Sequence, residues 1–193
     1  MSSAPGQINP SPALQRDLPL VREGLLSPLL RGSPALGGEG VVWDNLDHLF
    51  LVAECREISP LIKKLTFIDK RFAQAHVGNT LVGVYITGVG KQAVKRSQDY
   101  LSKHVQAKTV WNVGNVGALG DYPSGLILRI GRVMGQNGAS VKDIDPQSPF
   151  TLVTVNSLQN KSKLVSQYPQ ADVVDMEAFH WLAFYPDCRV IKV

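Results

Sequence analysis

Residues 81–114, which read LVGVYITGVGKQAVKRSQDYLSKHVQAKTVWNVG, decide the fold class of this chain. Residues 81–87 form an apolar run of the length of a buried strand, and a Gly-x-Gly turn follows them. A helix is predicted over residues 91–104, and residues 109–113 are predicted as the next strand. A strand, a helix and a second strand in this order are typical of an α/β domain with a largely parallel sheet.

The same alternation of strands and helices continues on both sides of this unit. Upstream, residues 46–53 are predicted as a strand and residues 60–72 as an amphipathic helix. Downstream, further strands are predicted at residues 126–134, 150–155, 172–174 and 189–193. Two more helices are predicted at residues 160–167 and 176–184, the second with Asp175 as its N-cap.

Composition narrows the class of protein but does not identify its chemistry. Of the 193 residues, 44% are hydrophobic and 19% are charged, which indicates a soluble globular domain and not a wholly disordered chain. The two cysteines exclude a disulfide framework and a four-thiolate zinc site. No apolar run approaches the roughly 18–20 residues that cross a bilayer. A net charge of +4 without a concentrated basic patch does not predict a nucleic-acid partner.

The first forty residues differ from the rest of the chain. They contain six of the twelve prolines, so residues 1–44 are predicted as a disordered Pro/Gly-rich tail, which leaves residues 45–193 as the folded domain. The apolar segment 18–31, with its interleaved arginines, leaves an N-terminal presequence open as the alternative. Without a presequence, the predicted location is the cytoplasm.

Two glycine-rich loops follow neighbouring predicted strands. The first, Thr87-Gly-Val-Gly-Lys-Gln-Ala93, satisfies the dinucleotide pattern G-x-G-x-x-A. That pattern expects an acidic residue about 20 positions later, but the next strand ends in Trp111-Asn-Val113, which disfavours a dinucleotide site. A tight turn and a loop for another ligand both stay open. The second loop, Asn112-Val-Gly-Asn-Val-Gly-Ala-Leu119, favours a ligand, because open α/β sheets bind ligands at the carboxyl ends of adjacent strands.

Two glutamates near predicted strand ends are candidate functional residues. Glu57 follows the first predicted strand, and Glu177 follows Met176 after a later one. Taken alone, each glutamate is explained as an acid that suits a helix dipole, and Met176 as a core residue.

In this order and spacing, four segments resemble the purine nucleoside phosphorylase and nucleosidase superfamily. They are similar in particular to its hydrolase branch, which contains 5′-methylthioadenosine/S-adenosylhomocysteine nucleosidases and futalosine hydrolases. The matching segments are Leu51-Val-Ala-Glu-Cys-Arg-Glu-Ile-Ser-Pro-Leu61, Thr87-Gly-Val-Gly-Lys91, Asn112-Val-Gly-Asn-Val-Gly117, and Val155-Asn-Ser157 followed by Tyr168-Pro-Gln-Ala-Asp-Val-Val-Asp-Met-Glu177. The resemblance implies a three-layer α/β/α domain around a mixed, largely parallel twisted sheet.

The resemblance also implies roles for individual residues. Glu57 would act as the general base on the attacking water, and Glu177 would accept hydrogen bonds from the ribose 2′- and 3′-hydroxyls. Met176 would pack on the ribose face. These assignments suit a reaction that passes through a ribosyl cation, because anionic groups near the sugar stabilise that charge.

Four further positions would shape the substrate pocket. The resemblance implies that the loop after Thr87, with Gly88, and the strand end at Val113 and Gly114 form the base and water pockets through their backbones. It implies no metal and no cofactor.

Hydrolysis is favoured over phosphorolysis by the segment after the first strand. Phosphorylases of this superfamily carry a Gly-Asp-Pro-type loop and an arginine there, whereas this chain has Glu54-Cys-Arg-Glu57. The expected partner is a small nucleoside, with no nucleic acid and no membrane, and a homodimer is the assembly suggested. A catalytically impaired nucleoside-binding relative and a phosphate-dependent phosphorylase are the alternatives.

Whether the chain is an active enzyme stays open on its sequence. In the family, the acid that protonates the leaving base follows the strand matched here by residues 189–193, and this sequence ends at Val193. We therefore expect a domain that is incomplete at its C-terminus. Residues 131–150 are also fewer than the family's usual stretch at this place.

Overall fold

A computed structural model describes residues 43–138 and 140–193. The predicted tail, except for its last two residues, and the presequence considered at residues 18–31 lie outside the described residues. The side chains of residues 43–45 also lie outside them.

The described chain alternates strands with helices. Its strands, in chain order, are β1 (Trp43–Val52), β2 (Thr66–Phe67), β3 (Phe72–Val77), β4 (Thr80–Ile86), β5 (Val105–Gly114), β6 (Gly117–Ala118), β7 (Leu128–Met134), β8 (Val141–Asp143), β9 (Phe150–Thr154), β10 (Val173–Asp175) and β11 (Arg189–Lys192). Its α-helices are α1 (Lys91–His104), α2 (Lys161–Gln167) and α3 (Ala178–Phe184). Short 3-10 helices occupy Cys55–Ile58 and Ile62–Lys64.

The strands form a mixed, largely parallel sheet, as the sequence predicts. Its order is β2-β3-β4-β1-β5-β11-β7-β9-β10-β6, and β8 pairs with β7. Strands β4, β1, β5 and β11 are parallel neighbours, and so are β7, β9 and β10. These two groups meet where β11 runs antiparallel to β7, a junction that we call the seam.

Helices cover both faces of the sheet, and alternating side chains of β9 show this directly. Leu152 belongs to the buried cluster that contains Trp181 of α3, together with residues of α1. The next residue, Val153, belongs to a second cluster that contains Leu164 of α2. Because successive strand residues point to opposite faces, α1 and α3 lie on one face and α2 on the other. The three-layer α/β/α architecture expected from the sequence is therefore confirmed.

The predicted helix over residues 60–72 is wrong. This segment instead holds the 3-10 helix Ile62–Lys64, strand β2 and the turn into β3. The Asp69 carboxylate accepts hydrogen bonds from the backbone N–H groups of Arg71 and Phe72, at 2.6 and 2.7 Å, and this local turn competes with a helix. Two apolar residues of this segment, Ile62 and Leu65, are half-buried at the edge of the cluster formed by Val52, Ile58 and Val84.

Strands β2, β3, β6 and β8 are not among the elements predicted from the sequence. Strand β3 pairs with β4 through a two-residue turn at Gly78-Asn79, where Gly78 has a φ of 60°. All the strands that the sequence predicts are confirmed, and their ends differ from the predicted ones by at most four residues. The helix Lys91–His104 is confirmed over its full length.

Helix α3 begins two residues later than predicted, at Ala178, with Glu177 in the N-cap position. Asp175, the predicted N-cap, still accepts a hydrogen bond from the Ala178 N–H at 3.0 Å.

No helix of the described residues could cross a membrane, since none of them has enough length and apolar character.

Candidate active site

A cleft of about 340 Å³ opens where the ends of β1, β5 and β10 meet. Strand β5 ends at Gly114, and only two residues separate it from β6, which pairs with β10. This short connection brings the residues after β1 next to the residues after β10. Four carboxylates line the cleft: Glu54, Glu57, Asp175 and Glu177.

Backbone N–H groups hold the Glu57 carboxylate from two directions. One oxygen, Oε2, accepts hydrogen bonds from the N–H groups of Ala53 and Glu54, at 2.8 and 3.1 Å. The other oxygen, Oε1, accepts one from the N–H of Asn115 at 2.9 Å. These three donors fix the carboxylate between the ends of β1 and β5, at the wall of the cleft.

Gly114 leaves the space in which Glu57 sits. A Cβ atom on Gly114 would lie 2.7 Å from Glu57 Oε1 and 3.2 Å from its carboxyl carbon. Because such a contact is shorter than real Cβ contacts, no side chain fits at this position while Glu57 keeps its place.

Glu177 lines the same cleft and is buried, with 7% of its surface exposed. Its Oε1 accepts a hydrogen bond of 2.7 Å from the N–H of Gly90, in the loop that precedes α1. Burial and the neighbouring Asp175 carboxylate raise the pKa of Glu177, while the Gly90 N–H and the Lys192 ammonium oppose this rise. A ligand that donates a further hydrogen bond to Glu177 would therefore stabilise the charged form of this buried carboxyl group.

The glycines of the first loop shape its approach to Glu177. Gly88 and Gly90 have φ values of 81° and 82°, in the left-handed region that favours glycine. A Cβ on Gly90 would lie 3.5 Å from the Cε of Met176, so this loop passes directly over the methionine. The half-buried Met176 lines the same cleft.

A buried ion pair lies behind the cleft. The Lys192 ammonium is 2.9 Å from Asp175 Oδ2 and donates a 2.7 Å hydrogen bond to Asn112 Oδ1. The other oxygen of Asp175 accepts a 2.7 Å hydrogen bond from the Thr154 hydroxyl. Asp175 is thus satisfied on both sides, which meets the requirement for a buried charge.

Sequence reasoning missed this network. Its signal was Lys192 within the strand Arg189–Lys192, because a lysine at a buried strand position needs an acidic partner.

The other predicted site residues are close to the cleft but do not line it. Thr87 is buried, and its hydroxyl donates to the Gly88 carbonyl at 2.8 Å. The Gly88 N–H donates to the Ala53 carbonyl, which ties the loop to the end of β1. Val113 packs against the cluster formed by Val52, Ile58 and Val84. The structure therefore brings Glu57, Met176 and Glu177 into the cleft, whereas Thr87, Gly88, Val113 and Gly114 support its walls.

Within residues 43–138 and 140–193, no group of three or more His, Cys, Asp and Glu side chains is arranged to hold a metal ion.

Comparison by sequence identifies no relative. No protein-family model matches the chain. No curated protein matches it either.

Comparison by structure finds several solved nucleosidases. An MTAN of Chlamydia trachomatis superposes with a TM-score of 0.62 and 20% identity, over 77% of this chain and 80% of that one. A futalosine hydrolase mutant of Helicobacter pylori strain 26695 gives 0.60 and 15%, over 76% and 88%. The 5′-methylthioadenosine/S-adenosylhomocysteine nucleosidase of S. pneumoniae gives 0.62 and 14%, over 75% and 83%. The resemblance to the nucleosidase branch is thus confirmed at the level of the fold.

Proposed function

We propose that this protein hydrolyses the N-glycosidic bond of a purine nucleoside. The observation that supports this most strongly is the pair Glu57 and Glu177, two carboxylates that are held by main-chain N–H groups and line one cleft. A cleft volume of about 340 Å³ lies within the roughly 300–1,000 Å³ typical of small-molecule sites.

Glu57 is the proposed general base. A water molecule between Glu57 and the anomeric carbon gives a proton to the carboxylate as its oxygen attacks that carbon. The bond from that carbon to the base nitrogen breaks, and the base leaves with the bonding electron pair and takes a proton from solvent water. The backbone N–H groups keep the carboxylate in one orientation, so little reorganisation is needed when the bond breaks. General-base catalysis of this kind contributes typically 10²–10⁴-fold to a rate.

Glu177 is the proposed ribose-binding residue. Its carboxylate accepts hydrogen bonds from the 2′- and 3′-hydroxyls, and these bonds strengthen as the ring becomes electron-poor in the transition state. Met176 packs against the ribose face. Because Glu177 is buried, its hydrogen bonds act at low local dielectric and are stronger than in water.

Water is favoured over phosphate as the nucleophile. Arg56 is the one cation among the described residues that line the cleft, and it forms an ion pair with Glu54. Glu54 and Asp175 are paired with cations, but a phosphate dianion would still meet the Glu57 and Glu177 carboxylates, so a phosphate-dependent phosphorylase is the weaker alternative.

We infer that the substrate is futalosine, or 5′-methylthioadenosine or S-adenosylhomocysteine. The names of the superposing structures support these classes of nucleoside and do not separate them. A homodimer, a cytoplasmic location and the absence of cofactor, nucleic acid and membrane belong to the same proposal. Sedimentation velocity of the purified protein tests the dimer.

Base release from these three nucleosides tests the proposal, measured by chromatography with and without phosphate. We expect phosphate-independent release. Glu57→Gln should lower kcat about 10²–10⁴-fold. Glu177→Gln should lower kcat/KM about 10–100-fold, since it weakens charge-assisted hydrogen bonds. Asp99→Asn, a change on the exposed surface of α1, is the matched control and should stay within about threefold of wild type.

Two results would overturn this assignment. One is base release that requires phosphate, and the other is release that survives both glutamate substitutions. Calorimetric binding of a nucleoside without turnover would instead support the alternative of a catalytically impaired nucleoside-binding protein.

A further inference from the structure

A second cleft, of about 410 Å³, lies between the turn that precedes β3 and helix α1. Its lining residues are Asp69, Lys70, Arg71, Tyr85, Arg96 and Tyr100. None of them lines the cleft that contains Glu57 and Glu177. Three of the six carry a positive charge.

The three cations form no ion pair with any other residue that the structure describes. Among the described residues, the ion pairs do not include Lys70, Arg71 or Arg96. Each of the three is exposed to solvent. The cleft thus has two positive charges in excess of its single carboxylate, and a phosphate group carries about −1.5 to −2 charges at pH 7.

The one carboxylate in the cleft, that of Asp69, is already engaged. Its Oδ1 accepts hydrogen bonds from two backbone N–H groups of its own turn, and its Oδ2 accepts a 2.7 Å hydrogen bond from the Tyr100 hydroxyl. Asp69 therefore holds the frame of the cleft and does not neutralise the neighbouring cations by direct pairing.

The frame that carries the cations is rigid. The Arg71 carbonyl accepts a 2.7 Å hydrogen bond from the Ile86 N–H, which fixes the turn to the end of β4. Arg96 lies one helical turn before Tyr100, whose ring stacks on that of buried Tyr85 with 5.3 Å between centroids. Sheet and helix therefore present the two arginines from fixed backbone positions.

We propose that this cleft binds the phosphate group of a small phosphorylated molecule. Guanidinium groups recognise phosphate oxygens through paired N–H donors, and Lys70 adds a point charge beside them. The cavity volume of about 410 Å³ leaves room for an organic group beyond the phosphate. The cations converge on one cavity, which favours a small ligand over a nucleic acid, whose backbone needs an extended track.

Calorimetry with pyrophosphate, glucose 6-phosphate and glucose tests this site on the full chain. We expect one pyrophosphate per chain, binding of glucose 6-phosphate, and no binding of glucose. Arg71→Gln and Arg96→Gln should each weaken pyrophosphate binding about 10–100-fold, the effect of losing a charge-assisted hydrogen bond. Binding of pyrophosphate but not of glucose 6-phosphate would contradict the proposal that the ligand carries an organic group.

Lys95→Gln is the matched control, because Lys95 is an exposed cation beside Arg96 that does not line the cleft. It should change pyrophosphate affinity less than about threefold. Glu57→Gln should leave pyrophosphate binding unchanged, which separates this site from the nucleoside cleft.

Three outcomes would overturn the site. The first is no binding of pyrophosphate at about 1 mM. The second is an equal loss in Lys95→Gln, which would indicate diffuse surface charge. The third is much tighter binding of a single-stranded oligonucleotide, with a steep salt dependence, which would indicate a nucleic-acid surface.

Discussion

At the residue scale, the Glu57 carboxylate occupies the space that a side chain at position 114 would need. If Gly114→Ala displaces the carboxylate, the loss of base catalysis should lower kcat about 10²–10⁴-fold. Steady-state kinetics on the nucleoside that the wild type cleaves measures this effect.

A double-mutant cycle shows whether the alanine acts through Glu57. In the Glu57→Gln background, Gly114→Ala should have almost no further effect on kcat, because the group that it displaces has already lost its function. Additive losses would mean that Gly114 acts in some other way.

The buried position of Glu177 predicts a pH dependence of stability. Because burial raises the pKa of Glu177 in the folded protein above the ordinary 4.5, the folded state binds the proton more tightly than the unfolded state. The stabilising contribution of the protonated group is complete below pH 4.5 and is lost as the pH rises through the raised pKa.

Glu177→Gln removes this titration. Urea unfolding from acidic to neutral pH should therefore show the variant gaining stability relative to the wild type as the pH increases. A difference that stays constant, or that falls with pH, would contradict a raised pKa.

At the element scale, local patterns account for what could be predicted. Helix Lys91–His104 was identifiable because a strand and two glycines precede it and its apolar spacing is regular. Over residues 60–72, a similar apolar spacing gave the wrong prediction of a helix. The side chain of Asp69 stabilises a turn there, and apolar spacing does not reveal such a turn. Strand β3 was missed because Gln74 and His76 interrupt its apolar character.

The functional residues divide in the same way. Glu57, Met176 and Glu177 occur in motifs that a family resemblance can supply, and the structure brings all three into one cleft. The contact between Lys192 and Asp175 could not be predicted by position, because it depends on how β11 and β10 approach across the sheet.

Strand β7 contains a glycine, Gly131, that is packed too closely to accept a side chain, as Gly114 is. The pairing of β7 with β9 shifts register between Ile130 and Arg132, and a Cβ on Gly131 would lie 2.1 Å from the Ser148 carbonyl oxygen. Backbone atoms cannot move aside as a side chain can. Gly131→Ala should therefore cost about 3 kcal/mol of unfolding free energy, or more.

Gly135→Ala, at the residue that follows β7, is the comparison. A Cβ there would lie 3.2 Å from the edge of the Phe179 ring, which can shift. Its cost in urea unfolding should be about 1 kcal/mol. Equal costs at the two glycines would contradict the distinction between backbone and side-chain neighbours.

At the scale of the whole molecule, the two groups of parallel strands meet at the seam through a short ladder. Only two residue pairs, Ile191–Arg129 and Lys192–Leu128, register β11 against β7. Across this junction, the Lys192 ammonium joins Asn112 of β5 to Asp175 of β10. The buried ion pair therefore connects the two groups of parallel strands in addition to the backbone ladder.

Lys192→Met should cost about 3–5 kcal/mol, because it leaves Asp175 buried without its partner. Adding Asp175→Asn should recover part of that loss in urea unfolding, since no buried charge then remains unpaired. If the two single costs simply add, Lys192 does not stabilise the protein through Asp175.

The main-chain donors around Glu57 have a consequence for how this protein can evolve. An N–H group is the same in every residue except proline, so the side chains of Ala53, Glu54 and Asn115 can change without removing a donor. Gly90, whose N–H binds Glu177 instead, differs from these three, because its left-handed φ favours glycine. Evolution can therefore replace the residues at positions 53, 54 and 115 and keep the geometry of the Glu57 carboxylate. A proline at any of these three positions would instead remove one of its hydrogen bonds.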